Sequence, residues 1–147
     1  MLPAGDREAQ AKLDGRMDLV LIDAPCTGSG VWRRRPDAKW RLSPQMLEAR
    51  LAEQRVVLDD GAKLVKPGGR LAYITCSVLP SENRDQVDAF LARQSGFKIV
   101  PWPALWEQAL PGVTPIPSAD GSAETLLMTP LRHGTDGFFV AVLERSA

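Results

Sequence analysis

Two short apolar runs, Leu19-Val20-Leu21-Ile22 and Leu71-Ala72-Tyr73-Ile74, constrain this chain more than any other feature. Each is continuous rather than alternating, the pattern of a strand buried on both faces, as in a parallel sheet. Each also stops at residues that carry chemistry: Asp23 after the first, Thr75-Cys76-Ser77 after the second. Between them, Ser43-Pro44 reads as an N-cap with proline at the first helical position. Leu47, Leu51, Leu58, Ala62 and Val65 then recur at helical spacing, and Lys66-Pro67-Gly68-Gly69 ends that helix. Strand, helix, strand is the unit from which parallel sheets are built.

The rest of the chain extends the pattern. Residues 1–16 are polar and Ala-rich, and predict a surface helix or a loose lead-in. Ala24-Pro25-Cys26-Thr27-Gly28-Ser29-Gly30 predicts a tight loop at the first strand's carboxyl end. Ser81 is placed to cap a second helix with Val87, Phe90 and Leu91 on its apolar face and Gly96 at its end. Residues 97–100 predict a third, shorter strand. The stretch 101–130 holds six of the twelve prolines, so a long irregular connection is expected there. After Asp136-Gly137, residues 138–143 form a last strand. The fold class expected is α/β: a sheet parallel at first, with helices, closed by an antiparallel strand pair. Ligands of such sheets bind beyond the carboxyl ends of the strands, where Asp23, Cys26 and Cys76 all fall.

Composition narrows the function classes. A chain of 147 residues fits one domain, and its 18 basic and 18 acidic residues cancel. Bulk charge therefore gives no argument for a nucleic-acid partner; a local cluster must supply it. Two cysteines are too few for a disulfide framework, and with one histidine, His133, no metal site is expected. His133 reads as structural. No signal peptide or membrane-length apolar run is visible, so a soluble cytoplasmic protein with no membrane partner is the expectation.

Four groups of residues bear on chemistry. Cys76 follows a buried strand and precedes an expected helix start, a setting that favours a thiolate, although cysteine is also a common core residue. Cys26 lies in the equivalent loop of the first strand. Asp23 is either a group that hydrogen-bonds a base or cofactor, or a carboxylate capping nearby backbone N–H groups. Thr27-Gly28-Ser29-Gly30 lacks the lysine and spacing of a P-loop. Arg33-Arg34-Arg35 with Lys39, Arg41, Trp32 and Trp40 combines phosphate-binding charge with stacking surface, as single-stranded nucleic-acid sites do; the alternative is a solvated loop. Trp102 and Trp106 are expected to pack.

Three segments carry a family resemblance. Asp23-Ala24-Pro25-Cys26-Thr27-Gly28-Ser29-Gly30 resembles the DAPC(S/T)G(S/T)G motif of the Sun/Fmu and NSUN group of RNA 5-methylcytosine methyltransferases. The run from Gly68 to Ser77, continued by Ser81-Glu82-Asn83, resembles that family's second cysteine motif, and Asp136-Gly137-Phe138-Phe139-Val140-Ala141 its closing strand. The resemblance implies a Rossmann-like class I methyltransferase sheet, S-adenosylmethionine as cofactor and RNA as partner. It implies Cys76 as the nucleophile that adds to carbon 6 of cytosine, Cys26 in product release, and Asp23 beside cofactor and base. It places Asp23 and Pro25 at the cofactor; Arg33, Arg34, Arg35 and Lys39 are expected at the RNA because their basic cluster directly follows the Cys26 loop. The family's upstream glycine-rich cofactor loop and acidic ribose-binding residue do not precede Asp23, so residues 1–147 read as the C-terminal half of the catalytic domain. An exposed sheet edge, with self-association through it, follows as an expectation. Two rivals remain at this stage: a DNA-type cytosine methyltransferase with Cys26 as nucleophile, and a non-catalytic RNA-binding or assembly module.

Overall fold

The computed structural model describes residues 11–147. The lead-in expected over residues 1–16 lies mostly outside them. Where it is described, the Gly15 and Arg16 N–H groups donate to the Lys63 and Leu64 carbonyls at 2.8 and 3.1 Å, closing the end of the long helix described next.

Strand β1 (Met17–Asp23) leads through the expected loop, a single 3-10 turn at Ser29–Val31 and a short helix α1 (Pro36–Arg41) to the long helix α2 (Pro44–Leu64). The Ser43 side chain accepts from the Met46 N–H at 3.2 Å, so the N-cap is the one the sequence implies. Strand β2 (Val65–Thr75) follows without a break. Val65, expected on the helix, opens this strand instead. Lys66-Pro67-Gly68-Gly69 forms an irregularity within it: Met17 pairs with Val65, and pairing resumes at Leu19 with Arg70. Gly69 is required there, because a Cβ would stand 2.8 Å from the Met17 carbonyl oxygen.

A 3-10 turn at Pro80–Glu82 then precedes α3 (Arg84–Arg93). Ser81 sits in that turn and not at the helix cap; Asn83 holds the cap position without capping, since its side chain is engaged by Thr75 and Ser77. Next come β3 (Phe97–Ile99), α4 (Trp102–Ala109), β4 (Leu126–Met128), α5 (Pro130–His133) and β5 (Phe138–Arg145). The proline-rich connection is thus not wholly irregular. Pro103 and Pro130 occupy first-turn positions, where a missing N–H costs nothing. Trp102 and Trp106 pack edge to face on α4, centroids 6.3 Å apart, and both indoles donate to backbone carbonyls.

The strand order is β1-β2-β5-β3, with β4 pairing β5 beyond β3. β1 and β2 run parallel; β5 is antiparallel to both β2 and β3. The α/β sheet with a closing antiparallel strand is therefore as expected. Leu58, Ala62, Leu71, Tyr73, Val87, Phe90, Phe139, Ala141 and Leu143 form one core where α2 and α3 cover the sheet. The opposite face of β1 departs from expectation. Leu19 and Leu21 are 58% and 62% exposed, so this strand is buried on one face and open on the other. An apolar run encodes the demand for cover on both faces; no described residue meets that demand at β1.

Candidate active site

Parallel pairing of β1 with β2 brings their carboxyl ends to the same edge of the sheet, Asp23 beside Ile74. The Ala24 N–H still donates to the Ile74 carbonyl at 2.9 Å, so the two loops leave the sheet together. Cys26 and Cys76 consequently meet, their sulfurs 3.3 Å apart in a hydrogen bond, both half-buried. The contact polarises the pair. The hydrogen bond from Cys26 pulls the Cys76 thiol down to about 7, helped by a backbone N–H and opposed by burial and by the negative charges of Asp23 and Glu82. Cys26 moves strongly the other way, because it holds its proton in that bond and is itself partly buried. The direction of both shifts favours the thiolate on Cys76 and the proton on Cys26. The reason differs from the helix start expected for Cys76: the α-helix begins only at Arg84, and the neighbouring thiol does the work assigned to a helix end.

Behind the two sulfurs lies a buried polar network, most of it from the two cysteine motifs but given no role by the sequence, and joined by Gln54 from outside them. Glu82, fully buried, receives four hydrogen bonds on its carboxylate. The Thr27 N–H and Gln54 Nε2 donate to Oε1 at 2.8 and 3.0 Å; the Thr27 and Ser77 hydroxyls donate to Oε2, each at 2.5 Å. Gln54 Nε2 also donates to the Pro25 carbonyl at 2.9 Å. Ser29 and Ser77 share a hydroxyl contact at 2.9 Å, and the Val78 N–H donates to Ser29. Each buried donor left without its acceptor would cost about 1–3 kcal/mol, so the network holds both cysteine loops as one unit. Gln54 was findable: it interrupts the apolar stripe of α2 between Leu51 and Leu58, where a polar side chain demands a buried partner.

The third motif docks on the first. The Gly137 N–H donates to the Gly30 carbonyl at 2.8 Å, and the Gly30 N–H to the Cys76 carbonyl at 3.0 Å. Neither glycine has room for a side chain: a Cβ on Gly30 would stand 2.2 Å from the Gly137 oxygen. Asp136, just before this junction, takes the Arg34 guanidinium, with Nε donating at 2.6 Å and a second nitrogen closing the pair. Arg33 lies 3.8 Å from the other Asp136 oxygen.

The expected basic cluster therefore divides. Arg34, and more loosely Arg33, tie the loop to Asp136, while Arg35 and Lys39 are exposed and unpaired among the described residues. Lys39 lies 5.9 Å from the Trp32 ring and 5.5 Å from the Trp40 ring; Trp40 is 82% exposed, whereas Trp32 has its indole nitrogen buried. His133 is structural here: its Nδ1 accepts from the Thr129 N–H at 3.1 Å, within the turn of α5.

At the outer end of β1, the Asp23 side chain is exposed and engaged by no other side chain among the described residues. Pro25 lines an open, mostly apolar cavity of about 380 Å³ with Ala52, Glu53, Val56 and Val57. The carboxylate of Asp23 is thus free to meet a ligand at this end of the sheet.

A β-sheet of this order, with reactive groups at the carboxyl ends of parallel strands and an antiparallel strand inserted last, is a class I methyltransferase sheet. The solved structures bear this out. PH0851 superimposes with a TM-score of 0.75 at 39% identity, over 90% of this chain and 27% of that one. NSun6 from Pyrococcus horikoshii, solved with SFG, superimposes at 0.66 with 29% identity, over 86% of this chain and 29% of that one. The family of 16S rRNA methyltransferases RsmB/F matches residues 2–144, and the chain belongs to that family. It is 41% identical over 128 residues to ribosomal RNA small subunit methyltransferase B of Shewanella oneidensis, covering 87% of this chain. It spans 27% of that relative's length.

Proposed function

We propose that the chain carries the nucleophile half of an RNA cytosine-5 methyltransferase, acting in the cytoplasm on ribosomal or transfer RNA. The observation that supports this most is the polarised Cys26–Cys76 pair at the ends of β1 and β2, beside the free carboxylate of Asp23. Carbon 5 of cytosine is too electron-poor to take a methyl group directly. Addition of the Cys76 thiolate to carbon 6 makes carbon 5 nucleophilic. Asp23 then stabilises the protonated ring nitrogen. S-adenosylmethionine, the cofactor this family implies, supplies the methyl group, in keeping with the SFG, an analogue of it, in NSun6; Asp23 and Pro25 are the residues we assign to holding it. Cys26 stays a thiol in this arrangement. Once Cys76 has bonded to carbon 6, Cys26 loses the sulfur acceptor that held its proton and releases that proton to solvent. As a thiolate it takes the proton from carbon 5, the electrons of that C–H bond restore the carbon 5–carbon 6 double bond, and Cys76 leaves carbon 6 as a thiolate with the methylated base free. The target base must reach these loops, so a single-stranded or locally opened RNA is the substrate, with Arg35 and Lys39 at its phosphates and Trp40 at an unstacked base.

The test is trapping. The chain is incubated with S-adenosylmethionine and RNA containing 5-fluorocytidine, in which fluorine blocks the final elimination, and its intact mass is measured. An adduct that maps to Cys76 and vanishes in Cys76→Ser is expected. An adduct on Cys26 instead would give the chemistry to the DNA-type mechanism. RNA binding with no adduct, either here or once the upstream half of the catalytic domain is restored, would favour a non-catalytic RNA-binding module.

A further inference from the structure

None of the chemistry above uses Glu82, yet it is the most heavily bonded side chain in the molecule among the described residues. Its four donors are all neutral, and no lysine, arginine or histidine pairs with it among the described residues. A buried carboxylate without a cation is a poor way to stabilise a fold, since an apolar side chain of the same volume serves as well or better. What it supplies and an apolar residue cannot is acceptor geometry on two oxygens at once. Those oxygens reach both cysteine loops. Thr27, bonded twice, is the residue after Cys26; Ser77 is the residue after Cys76. Glu82 is itself anchored to the end of β2, because the Tyr73 hydroxyl donates to its carbonyl at 2.7 Å. Asn83 repeats the pattern one residue on, accepting from the Thr75 hydroxyl and donating to the Ser77 carbonyl.

We propose that Glu82 is a positioning residue whose carboxylate pins the Cys26 and Cys76 loops together and so sets the contact between the two sulfurs. This rests on Cys76 being the nucleophile proposed above, but its test reads thiol chemistry and needs no methyl transfer, so the two proposals fail separately. Geometry and charge make opposite demands on the outcome. Glu82 as a clamp preserves the Cys26 bond, the largest influence lowering Cys76; Glu82 as a mere neighbouring charge raises Cys76, and by less.

The experiment follows alkylation of Cys76 by iodoacetamide against pH, read by peptide mass spectrometry on the full chain and on Glu82→Ala and Glu82→Gln, with circular dichroism to verify folding. In wild type the rate should rise through a midpoint near 7. In E82A the loops part, the midpoint moves up, and alkylation at neutral pH slows by about tenfold for each unit moved. E82Q should restore the wild-type profile. Its amide oxygen accepts from Thr27 N–H and Gln54, and its NH₂ donates to the Thr27 and Ser77 hydroxyls, which can accept as well as donate. Should E82A not fold, Ser77→Ala, which cuts the carboxylate's bond to the Cys76 loop, carries the same upward expectation. A midpoint that falls in both Glu82 variants would make Glu82 a charge and not a clamp. An unchanged midpoint in a folded E82A or S77A would leave it no positioning role. Either result overturns the proposal.

Discussion

Arg34 and Lys39 belong to one basic run in the sequence, yet the structure gives them different work. Arg34, although exposed, is committed to the Asp136 carboxylate. Lys39 and Arg35 face solvent beside the exposed Trp40. Charge in sequence cannot distinguish these roles, because Asp136 lies more than a hundred positions away in the chain. The distinction is measurable through salt. Replacing Arg35 and Lys39 together by alanine should weaken single-stranded RNA binding on the order of tenfold and flatten the dependence of log K on log salt by about 1.4, two phosphate contacts' worth. Arg34→Ala should leave that slope unchanged. An unaltered slope in the double variant would remove these two side chains from the RNA interface.

At the level of elements, three separate motifs become one site through two glycines. Gly30 joins the Cys26 loop to the Cys76 carbonyl, and Gly137 joins the start of β5 to Gly30. Gly30→Ala drives a methyl group into the Gly137 backbone, which has no flexible end to yield. A loss of about 2–4 kcal/mol is expected, seen as a lower urea midpoint with an unchanged slope. A variant as stable as wild type would show that the junction is free to open. Elements also show where local rules misled. The proline-rich connection contains α4 because Pro103 falls in a first turn, and Val65 belongs to β2 because helix and strand adjoin with no loop between them. Propensity states what a residue tolerates; the sheet partner decides which tolerated state is occupied.

For the whole molecule, the open face of β1 is the dominant surface fact. Among the described residues β1 is an edge strand, and Leu19 and Leu21 stand exposed on its open face. Unpaired edges with apolar side chains associate. We expect light scattering at high concentration to report species heavier than the 16.0 kDa monomer, and Leu19→Lys with Leu21→Lys to restore the monomer. A monomeric wild type would refute association through this edge.

What the sequence by itself determined is local and periodic: the two apolar runs, the Ser43 cap, the helical stripe of α2, and the placing of Asp23, Cys26 and Cys76 at strand ends. These follow from near-neighbour sterics and from hydrophobic period, which need no knowledge of distant residues. Tertiary structure alone decided what each of those groups does. Which cysteine carries the thiolate depends on a sulfur fifty positions away. The clamp on both loops depends on Glu82, Gln54 and Thr27, which no period relates. Hydrogen-bond geometry and burial act across space and not along the chain, so polarity within the site was written only when β1 and β2 came side by side.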